Sequence, residues 1–350
     1  MTDAKRLHFL HPGPLDRPTG GSAYDRRIVG ELRRLGWTVT VQELSGRFPE
    51  ADDEACTAAA QSLSEVPDGE GAVIDGLAIP AFEGLVAEAA RRVPLTAMVH
   101  HPVTDETGLA EQERQRFEVL ETALLAPMRR VIVPSPAMAR RLGDFGVAPY
   151  RIAVVPPGTE PAARATGSGG KTVHLLCVAS LTPRKGHAML LAALARCKDL
   201  DWRLTCVGPM DHDPETTAEI RTAIDRLDLA DRVTLTGALL GAPLEDAFAS
   251  ADVFALATHY EGYGMVFAEA MARGLPIVAN GGGAVPDTVP EPAGVVVPAG
   301  AAAALAEALR RMIADPVFRK VKADGSWRAG QDLPDWPASA ARFAAALRET

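Results

Sequence analysis

The feature that most constrains the fold is a regular alternation of short apolar runs with longer segments of helical periodicity. The runs are nearly continuous in apolar residues, which is typical of parallel strands covered on both faces. Strands and helices that alternate in this way predict an α/β fold with doubly wound, Rossmann-like sheets. The predicted strands are Leu7–Leu10, Thr38–Val41, Val73–Asp75, Leu95–Val99, Val131–Val133, Ile152–Val155, Val173–Ala179, Arg203–Val207, Val233–Leu235, Val253–Leu256, Ile277–Ala279 and Val295–Val297.

The segments between these runs have the spacing of amphipathic or buried helices. The predicted helices are Ser22–Leu35, Phe82–Arg91, Leu109–Leu125, Ala137–Phe145, His187–Ala195, Glu215–Leu227, Met265–Arg273, Ala301–Ile313 and Trp336–Leu347.

One segment interrupts the alternation and predicts two domains. Residues 158–170 are rich in proline, glycine and alanine without periodicity, which is typical of a linker. We therefore expect one Rossmann-like domain at residues 1–157, a second at 171–330, and a helix within 331–350 that packs back on the first. Ligands of open α/β sheets bind at the carboxyl ends of the strands, so the two domains are expected to enclose a cleft.

The charge distribution argues against nucleic acid and against an anionic membrane surface. The net charge of −9 is spread over both halves, whereas such binders carry a basic half or stripe. Arginine pairs such as Arg26–Arg27 lie among acids and are interpreted as solvated helix ends, with weak peripheral membrane contact as the minority alternative.

The amino terminus lacks a signal-peptide pattern and no apolar stretch approaches ~20 residues, which predicts a cytoplasmic protein. The cysteines lack metal spacing and predict reduced thiols: Cys56, Cys177, Cys197 and Cys206.

Two short motifs imitate functional sites. Gly167–Thr172 resembles a phosphate-binding P-loop, but Ala165 stands where the first glycine is required and a strand follows instead of a helix. Asp211–Asp213 suggests a metal site, but its position just before a predicted helix favours N-capping. Neither motif is assigned a function.

The strongest cluster of candidate residues begins at Glu261, in a glycine-bearing loop between a strand and a helix that starts near Gly264. Free backbone N–H groups at such a helix start suit a phosphate or sugar hydroxyls. Glu269 lies two turns inside this helix among apolar neighbours, which favours a shielded carboxylate. The alternative is a capping acid and a surface glutamate.

Cations follow the first strand of the second domain. Arg184 and Lys185 lie at a strand end and helix start, where they can hold a pyrophosphate. An ordinary basic loop is the alternative.

The first domain offers a glycine pair and a histidine. Gly20 and Gly21 precede a helix and permit close approach of a ligand; a plain turn with Ser22 as N-cap is the alternative. His100 ends a predicted strand, and His101 is the second choice because one residue of register exchanges them. A metal pair of His100 with Asp105 lacks a third ligand.

Together these motifs resemble the group 1 (family 4) retaining glycosyltransferases. The match includes the Glu-x7-Glu signature with its Glu-Gly-x-Gly opening, and it extends from about Gly20 to about Val297. The resemblance implies the two-domain GT-B architecture and transfer of a sugar, with retained configuration, from a nucleoside-diphosphate sugar to an unidentified small-molecule or glycan acceptor. It also implies that neither a metal nor a cofactor is needed.

The resemblance assigns roles residue by residue. Arg184 and Lys185 hold the diphosphate, Glu261 the sugar hydroxyls and Glu269 the ribose, while His100 contacts the sugar near its reacting carbon. Leu239 or Leu240 lies near the nucleobase. The catalytic set is His100, Arg184, Lys185 and Glu261; the donor-binding set is Gly20, Gly21, Gly208, Leu239, Gly262, Tyr263, Gly264, Met265 and Glu269.

Two departures and three alternatives accompany this assignment. Asp287 stands where the family often has a glutamate, and Thr258-His259 replaces a common Pro-Ser, which affects fine donor contacts.

The first alternative function is a sugar-nucleotide 2-epimerase, which shares the architecture. A non-catalytic nucleotide-sugar-binding protein is the second alternative, although it would be free to lose Glu261, Arg184 or Lys185. A nicotinamide dehydrogenase ranks lowest because no Gly-x-Gly-x-x-Gly follows either first strand.

Overall fold

The structure is a computed structural model that describes residues 5–348. The first four residues, on which the interpretation of the amino terminus partly rests, and the last two lie outside the described range. The chain forms two compact units: the chain up to Gly158 together with that from Pro334 onward, and Thr159–Leu333. Within residues 5–348, no helix combines the length and apolarity that crossing a membrane requires.

The first unit is built on a six-stranded parallel sheet of order β2-β1-β3-β4-β5-β6. Its strands are β1 (Arg6–Pro12), β2 (Thr38–Leu44), β3 (Gly71–Asp75), β4 (Leu95–Met98), β5 (Arg130–Val133) and β6 (Ile152–Val154). Its first helices are α1 (Gly20–Arg34), α2 (Asp53–Ser64), α3 (Val86–Ala89), α4 (Glu111–Leu125) and α5 (Pro136–Asp144). Strand order reverses between β1 and β3, and this switch point is where ligands of such sheets bind.

The second unit has its own six-stranded parallel sheet, of order β12-β11-β10-β7-β8-β9. Its strands are β7 (Val173–Val178), β8 (Trp202–Val207), β9 (Val233–Gly237), β10 (Val253–Leu256), β11 (Ile277–Asn280) and β12 (Gly294–Val297). Its helices are α6 (His187–Ala195), α7 (Pro214–Arg226), α8 (Ala242–Ala249), α9 (Met265–Ala272), α10 (Val285–Thr288), α11 (Ala302–Ala314) and α12 (Pro316–Gln331). Here the switch point lies between β7 and β10.

The predicted strands are all present, and the α/β fold with two doubly wound parallel sheets is confirmed. The central strands are buried on both faces, β10 and β11 completely, which explains their unbroken apolar runs. Phe254 of β10 illustrates the core, since its ring contacts that of Phe267 edge-on at 5.7 Å.

The helix predicted over Phe82–Arg91 is much shorter than expected. A 3-10 helix at Ile79–Phe82 is followed by the four residues of α3, and between them Gly84 adopts φ +77°, which interrupts helical geometry. Helices α2, α8, α10 and α12 were not predicted. Cysteines of the described chain form no disulfide; Cys56 is exposed and the other three are buried.

The last helix, α13 (Trp336–Arg348), belongs to the first unit and packs against α1. Ser339 donates a hydrogen bond to the Pro156 carbonyl at 2.7 Å, and the Trp336 ring lies edge-on to Tyr24 of α1. In the second unit, residues 159–170 lack helix and strand, but the backbone N–H groups of Ala165 and Thr166 donate to carbonyls of Arg273 and Ala249.

Candidate functional site

In the second unit, the loops after β7 and β10 flank the switch point and carry the predicted cations and acids. Pro183–Lys185 forms a single 3-10 turn before α6, and Glu261 lies in the loop before α9. The His259 N–H donates to the Arg184 carbonyl at 2.7 Å, so the two loops are joined by their backbones. Parallel strands bring both loops to the same edge of the sheet.

Glu261 receives both predicted cations. Lys185 Nζ donates to Glu261 Oε1 at 2.6 Å, and Arg184 Nη1 lies 3.7 Å from Oε2 while donating to the Tyr260 carbonyl at 3.0 Å. Glu261 is buried, and burial alone would raise its pKa. The charges of Lys185 and Arg184 outweigh burial and hold the pKa of Glu261 below its usual range.

The departure from Pro-Ser places a hydroxyl at this junction. Thr258 is fully buried, and its Oγ1 lies 3.2 Å from the Arg184 carbonyl and 3.1 Å from the Tyr260 carbonyl. Asn280, at the end of β11, donates from Nδ2 to the Thr258 carbonyl at 2.9 Å. The substituted residue therefore ties together the two loops that hold the charged cluster.

Helix α9 begins after Gly264, whose φ of +87° turns the loop into the helix. Glu269 lies inside this helix, as predicted from its spacing. Burial raises its pKa to about 7, with Arg273 opposing and Glu245 adding to the shift. Within residues 5–348 its carboxylate makes no hydrogen bond, so the structure does not join Glu269 to the Lys185–Glu261 pair.

The remaining donor-site candidates surround the same sheet edge. Gly208 follows β8, and a Cβ built there would lie 1.9 Å from the Ala179 carbonyl oxygen, so only glycine fits. Leu239 is half-buried against the core, whereas Leu240 is 79% exposed. Tyr263 is partly buried, and its carbonyl accepts a hydrogen bond from Thr288 at 2.6 Å.

In the first unit, Gly20 and Gly21 are the first residues of α1 rather than a turn before it. The N-cap is Thr19, whose hydroxyl accepts from the Ser22 N–H at 3.2 Å, so the alternative of Ser22 as N-cap was wrong. Gly21 lies against His100: a Cβ there would be 3.1 Å from His100 Cδ2.

His100 is the better connected of the two candidate histidines. Its Nε2 lies 3.1 Å from Asp25 Oδ1 and 3.3 Å from Asp75 Oδ2. Burial lowers the pKa of His100, but the two carboxylates outweigh it and raise this pKa to about 10, which makes the ring an imidazolium at neutral pH. His101 instead bonds Glu106 at 2.9 Å.

Sequence reasoning missed the buried acids and a second histidine around His100. Asp75 ends β3, Asp25 lies on α1, and His11 near the end of β1 has Nε2 3.9 Å from Asp25 Oδ2. All three are buried at the first sheet's switch point. The available signal was the position of Asp75 at the end of a predicted strand.

Two groups in the described chain bring metal-binding atom types within 4.8 Å of one another. In the group of His11, Asp25 and Asp75, the His100 ring already supplies the cation that the carboxylates need. In the other group, Cys177 and Cys206 are cross-strand neighbours in the β7–β8 core, and His187 Nε2 lies 3.7 Å from Cys177 Sγ.

The chain matches two glycosyltransferase family models and several curated relatives. The family described as "Glycosyl transferases group 1" matches residues 172–315, and "Glycosyltransferase Family 4" matches residues 73–163. An MMP alpha-(1->4)-mannosyltransferase of Mycolicibacterium hassiacum is 30% identical over 279 residues, which cover 75% of this chain and 67% of that protein. The aligned regions of the first four curated relatives span 55 to 67% of their lengths.

Solved structures are similar in fold along nearly the whole chain. Sucrose-phosphate synthase from Thermosynechococcus elongatus has a TM-score of 0.82 at 22% identity, covering 97% of this chain and 98% of its own. Anabaena HepE in complex with UDP and glucose has a TM-score of 0.77 at 19% identity, covering 98% and 99%. Both similarities extend through the two units, and the fold agrees with the GT-B architecture.

Proposed function

The chain belongs to group 1 (family 4) of the glycosyltransferases, and on this premise we propose that it is a retaining enzyme that transfers a hexose from a nucleoside-diphosphate donor without a metal. The observation that carries the proposal is the convergence of Arg184 and Lys185 on Glu261 at the switch point of the second sheet. Cations held at such an edge suit a diphosphate, and a neighbouring carboxylate suits sugar hydroxyls.

The donor is assigned to the second unit. Arg184 and Lys185 bind the diphosphate, with help from the backbone N–H groups of Gly264 and Met265 at the start of α9. Glu269 accepts hydrogen bonds from the ribose hydroxyls, and Glu261 from those of the sugar. The other donor-binding residues assigned in this unit are Gly208, Leu239, Gly262 and Tyr263.

The reaction breaks the bond between the anomeric carbon and the diphosphate oxygen, whose electron pair leaves with the nucleotide. The acceptor hydroxyl bonds the same face of that carbon and gives its proton to the departing phosphate oxygen, so configuration is retained. The transition state pairs a positively charged sugar with a diphosphate that gains negative charge. Arg184 and Lys185 stabilise that gain because they are fixed before the reaction begins.

The hexose part of the proposal rests on the relatives. The Mycolicibacterium protein is named a mannosyltransferase, and HepE was crystallised with UDP and glucose. The acceptor is assigned to the first unit: to segment 11–19, which includes the last two residues of β1, and to segment 102–108, which follows β4.

The test is a panel of UDP-, GDP-, ADP- and dTDP-hexoses, measured first for thermal stabilisation and then for transfer. A bound donor raises the unfolding temperature by mass action. One nucleotide should stabilise the native chain and lose this effect in Lys185→Ala. NMR of the product should show the donor's anomeric configuration retained.

Three outcomes oppose the proposal. Incubation with donor alone that yields an isomerised sugar would favour the 2-epimerase, and stabilisation by a donor without any transfer to a broad acceptor mixture would favour a non-catalytic binding protein. Inverted configuration in the product would contradict the retaining assignment.

A further inference from the structure

Helix α1 presents one face to His100. Gly21, Tyr24 and Asp25 are spaced i, i+3 and i+4, which puts them side by side on a helix. The Tyr24 ring meets the imidazole edge-on, with centroids 5.3 Å apart and planes at 82°, and its hydroxyl donates to the Val155 carbonyl at 3.0 Å. Gly21 leaves just enough room for the ring edge at Cδ2 and Nε2.

The polar contacts of His100 are unusual because two carboxylates face the same ring nitrogen, Nε2. Asp25 is fully buried and Asp75 is nearly so, and both face Nε2 of His100. Two buried carboxylates in contact are costly unless a cation lies between them. Within residues 5–348, Nδ1 of His100 makes no hydrogen bond, while the side chain keeps 20% of its surface exposed.

We propose that Asp25 and Asp75 are positioning residues, which hold His100 as an imidazolium by its Nε2 and leave Nδ1–H to donate to a hydroxyl of the bound ligand. The proposal rests on the sugar-transfer function and adds to it the residues that set the charge and orientation of His100. Gly21 and Tyr24 then serve the same purpose by their packing against the ring, so Gly21 has a use besides approach to a ligand.

The charge of the cluster suits the reaction proposed above. An isolated imidazolium beside a positively charged sugar would raise the energy of the transition state. Here the ring is neutralised by carboxylates, so the N–H remains a charge-assisted donor without net positive charge around it. Two carboxylates and one imidazolium sum to −1, or to zero when Asp25 carries a proton.

The titration of the cluster involves every ionisable group that faces the ring. These are His11 from β1, Tyr24 and Asp25 from α1, and Asp75 from β3. Burial and the charge of Asp75 raise the pKa of Asp25 to about 7, although His100 opposes the shift. For Asp75, burial acts upward, but bonds to His100 and Asp25 hold its pKa below the usual range.

The first experiment is NMR of the imidazole nitrogens of the full chain between pH 5 and 10. The His100 signals are identified by their loss in His100→Gln. We expect native His100 to remain doubly protonated past pH 8.5, and Asp75→Asn and Asp25→Asn each to lower its pKa by one unit or more. A native His100 that titrates near ~6.5, the value of a free histidine, overturns the inference whatever the activity.

The second experiment separates kcat from KM. Asp75→Asn should lower kcat by about 100-fold, the cost of misplacing a reacting group by about 1 Å, with little change in the donor's KM. The kcat–pH profile should shift in parallel with the His100 titration seen by NMR. Unchanged kcat in a folded Asp75→Asn protein overturns the inference.

A third experiment replaces Gly21, which packs against His100, and remains informative where the aspartate variants fail to fold. Gly21→Ala should lower kcat because its methyl group lies against a ring that two carboxylates hold in place. Gly30→Ala, on the same helix with open space around it, should leave kcat unchanged. Equal kcat in both variants overturns the inference. A native chain that transfers no sugar from any donor, yet retains the imidazolium, instead counts against the proposed function.

Discussion

Lys185 Nζ lies 2.6 Å from Glu261 Oε1. The two residues are 76 positions apart and lie in the segments that follow β7 and β10. The pair is shielded, with 16% and 8% of the two side chains exposed. A diphosphate that binds Lys185 must share it with this carboxylate. Glu261 holds the ammonium at the sheet edge, which under the proposed function is the preorganisation that electrostatic catalysis needs.

Replacing Lys185 by alanine is expected to lower kcat/KM by about 30- to 900-fold, equivalent to about 2–4 kcal/mol for the loss of one preorganised donor. The reason is that, under the proposed function, Lys185 neutralises charge that builds on the leaving diphosphate. Steady-state kinetics with the preferred donor provide the measurement. Lys198→Ala, which removes an exposed lysine paired with Asp228 on the surface, is the control and should change little. Native turnover in Lys185→Ala would refute the assignment.

Glu269 is expected to make donor binding depend on pH. With its pKa at about 7, the ionised fraction rises from about a tenth at pH 6 to about nine tenths at pH 8, so the donor's KM should fall about tenfold over that range. Glu269→Gln should raise KM and remove this pH dependence. Glu219→Gln, an exposed acid on α7, serves as the control. A native KM that is flat between pH 6 and 8 would speak against an ionised Glu269 on the ribose.

The same residue should also affect stability, with a defined sign. A folded pKa above the unfolded value contributes stability at low pH that is lost as pH rises through the folded pKa. The stability that protonated Glu269 contributes is therefore present below about pH 4 and lost as pH rises through about 7. Glu269→Gln should unfold at a higher denaturant concentration than the native protein at pH 8. A native protein that is more stable than this variant at pH 8 would show that the carboxylate is well solvated.

Glu261 should behave in the opposite way under acid conditions. Its folded pKa is lowered by Lys185 and Arg184, so its contribution to stability is present above about pH 4.3 and lost as pH falls through the folded value. Denaturant unfolding between pH 3 and 6 should show a shallower loss of stability in Glu261→Gln than in the native chain. The control is Glu219→Gln, which changes an exposed acid. Asp252→Asn is not a suitable control because Asp252 accepts a hydrogen bond from the His174 backbone N–H. Identical acid limbs in all three proteins would count against the ion pair.

Gly208→Ala is expected to destabilise the second unit by about 1–3 kcal/mol or more, because the new methyl group would meet the Ala179 carbonyl oxygen at 1.9 Å. The ends of β7 and β8 would have to separate, which should also weaken donor binding. Thermal unfolding with and without donor measures both effects. Gly170→Ala, which has space around it, should leave both unchanged. Equal unfolding temperatures for the two variants would contradict the close approach.

The sequence by itself determined the fold class and the strand positions. Strands buried on both faces must be apolar throughout, and runs such as Val253–Leu256 therefore stand out without any tertiary information. The motifs around Arg184 and Glu261 were equally legible, because a particular order of glycines, acids and cations is rare in a chain. Helix α12 escaped prediction since its pattern is weakly amphipathic and its burial depends on what packs against it.

Only the tertiary structure decided which polar residues act together. Asp25, Asp75 and His11 look like ordinary polar residues in the sequence, and nothing in their spacing links them to His100. Parallel strands bring their carboxyl ends to one edge whatever lies between them in the chain, and burial there places the separate acids in one cluster around His100. The same physical reason gave Gly21 a neighbour in His100 and Lys185 a partner in Glu261: short local patterns specify elements, but contacts between distant elements arise only when the sheet forms.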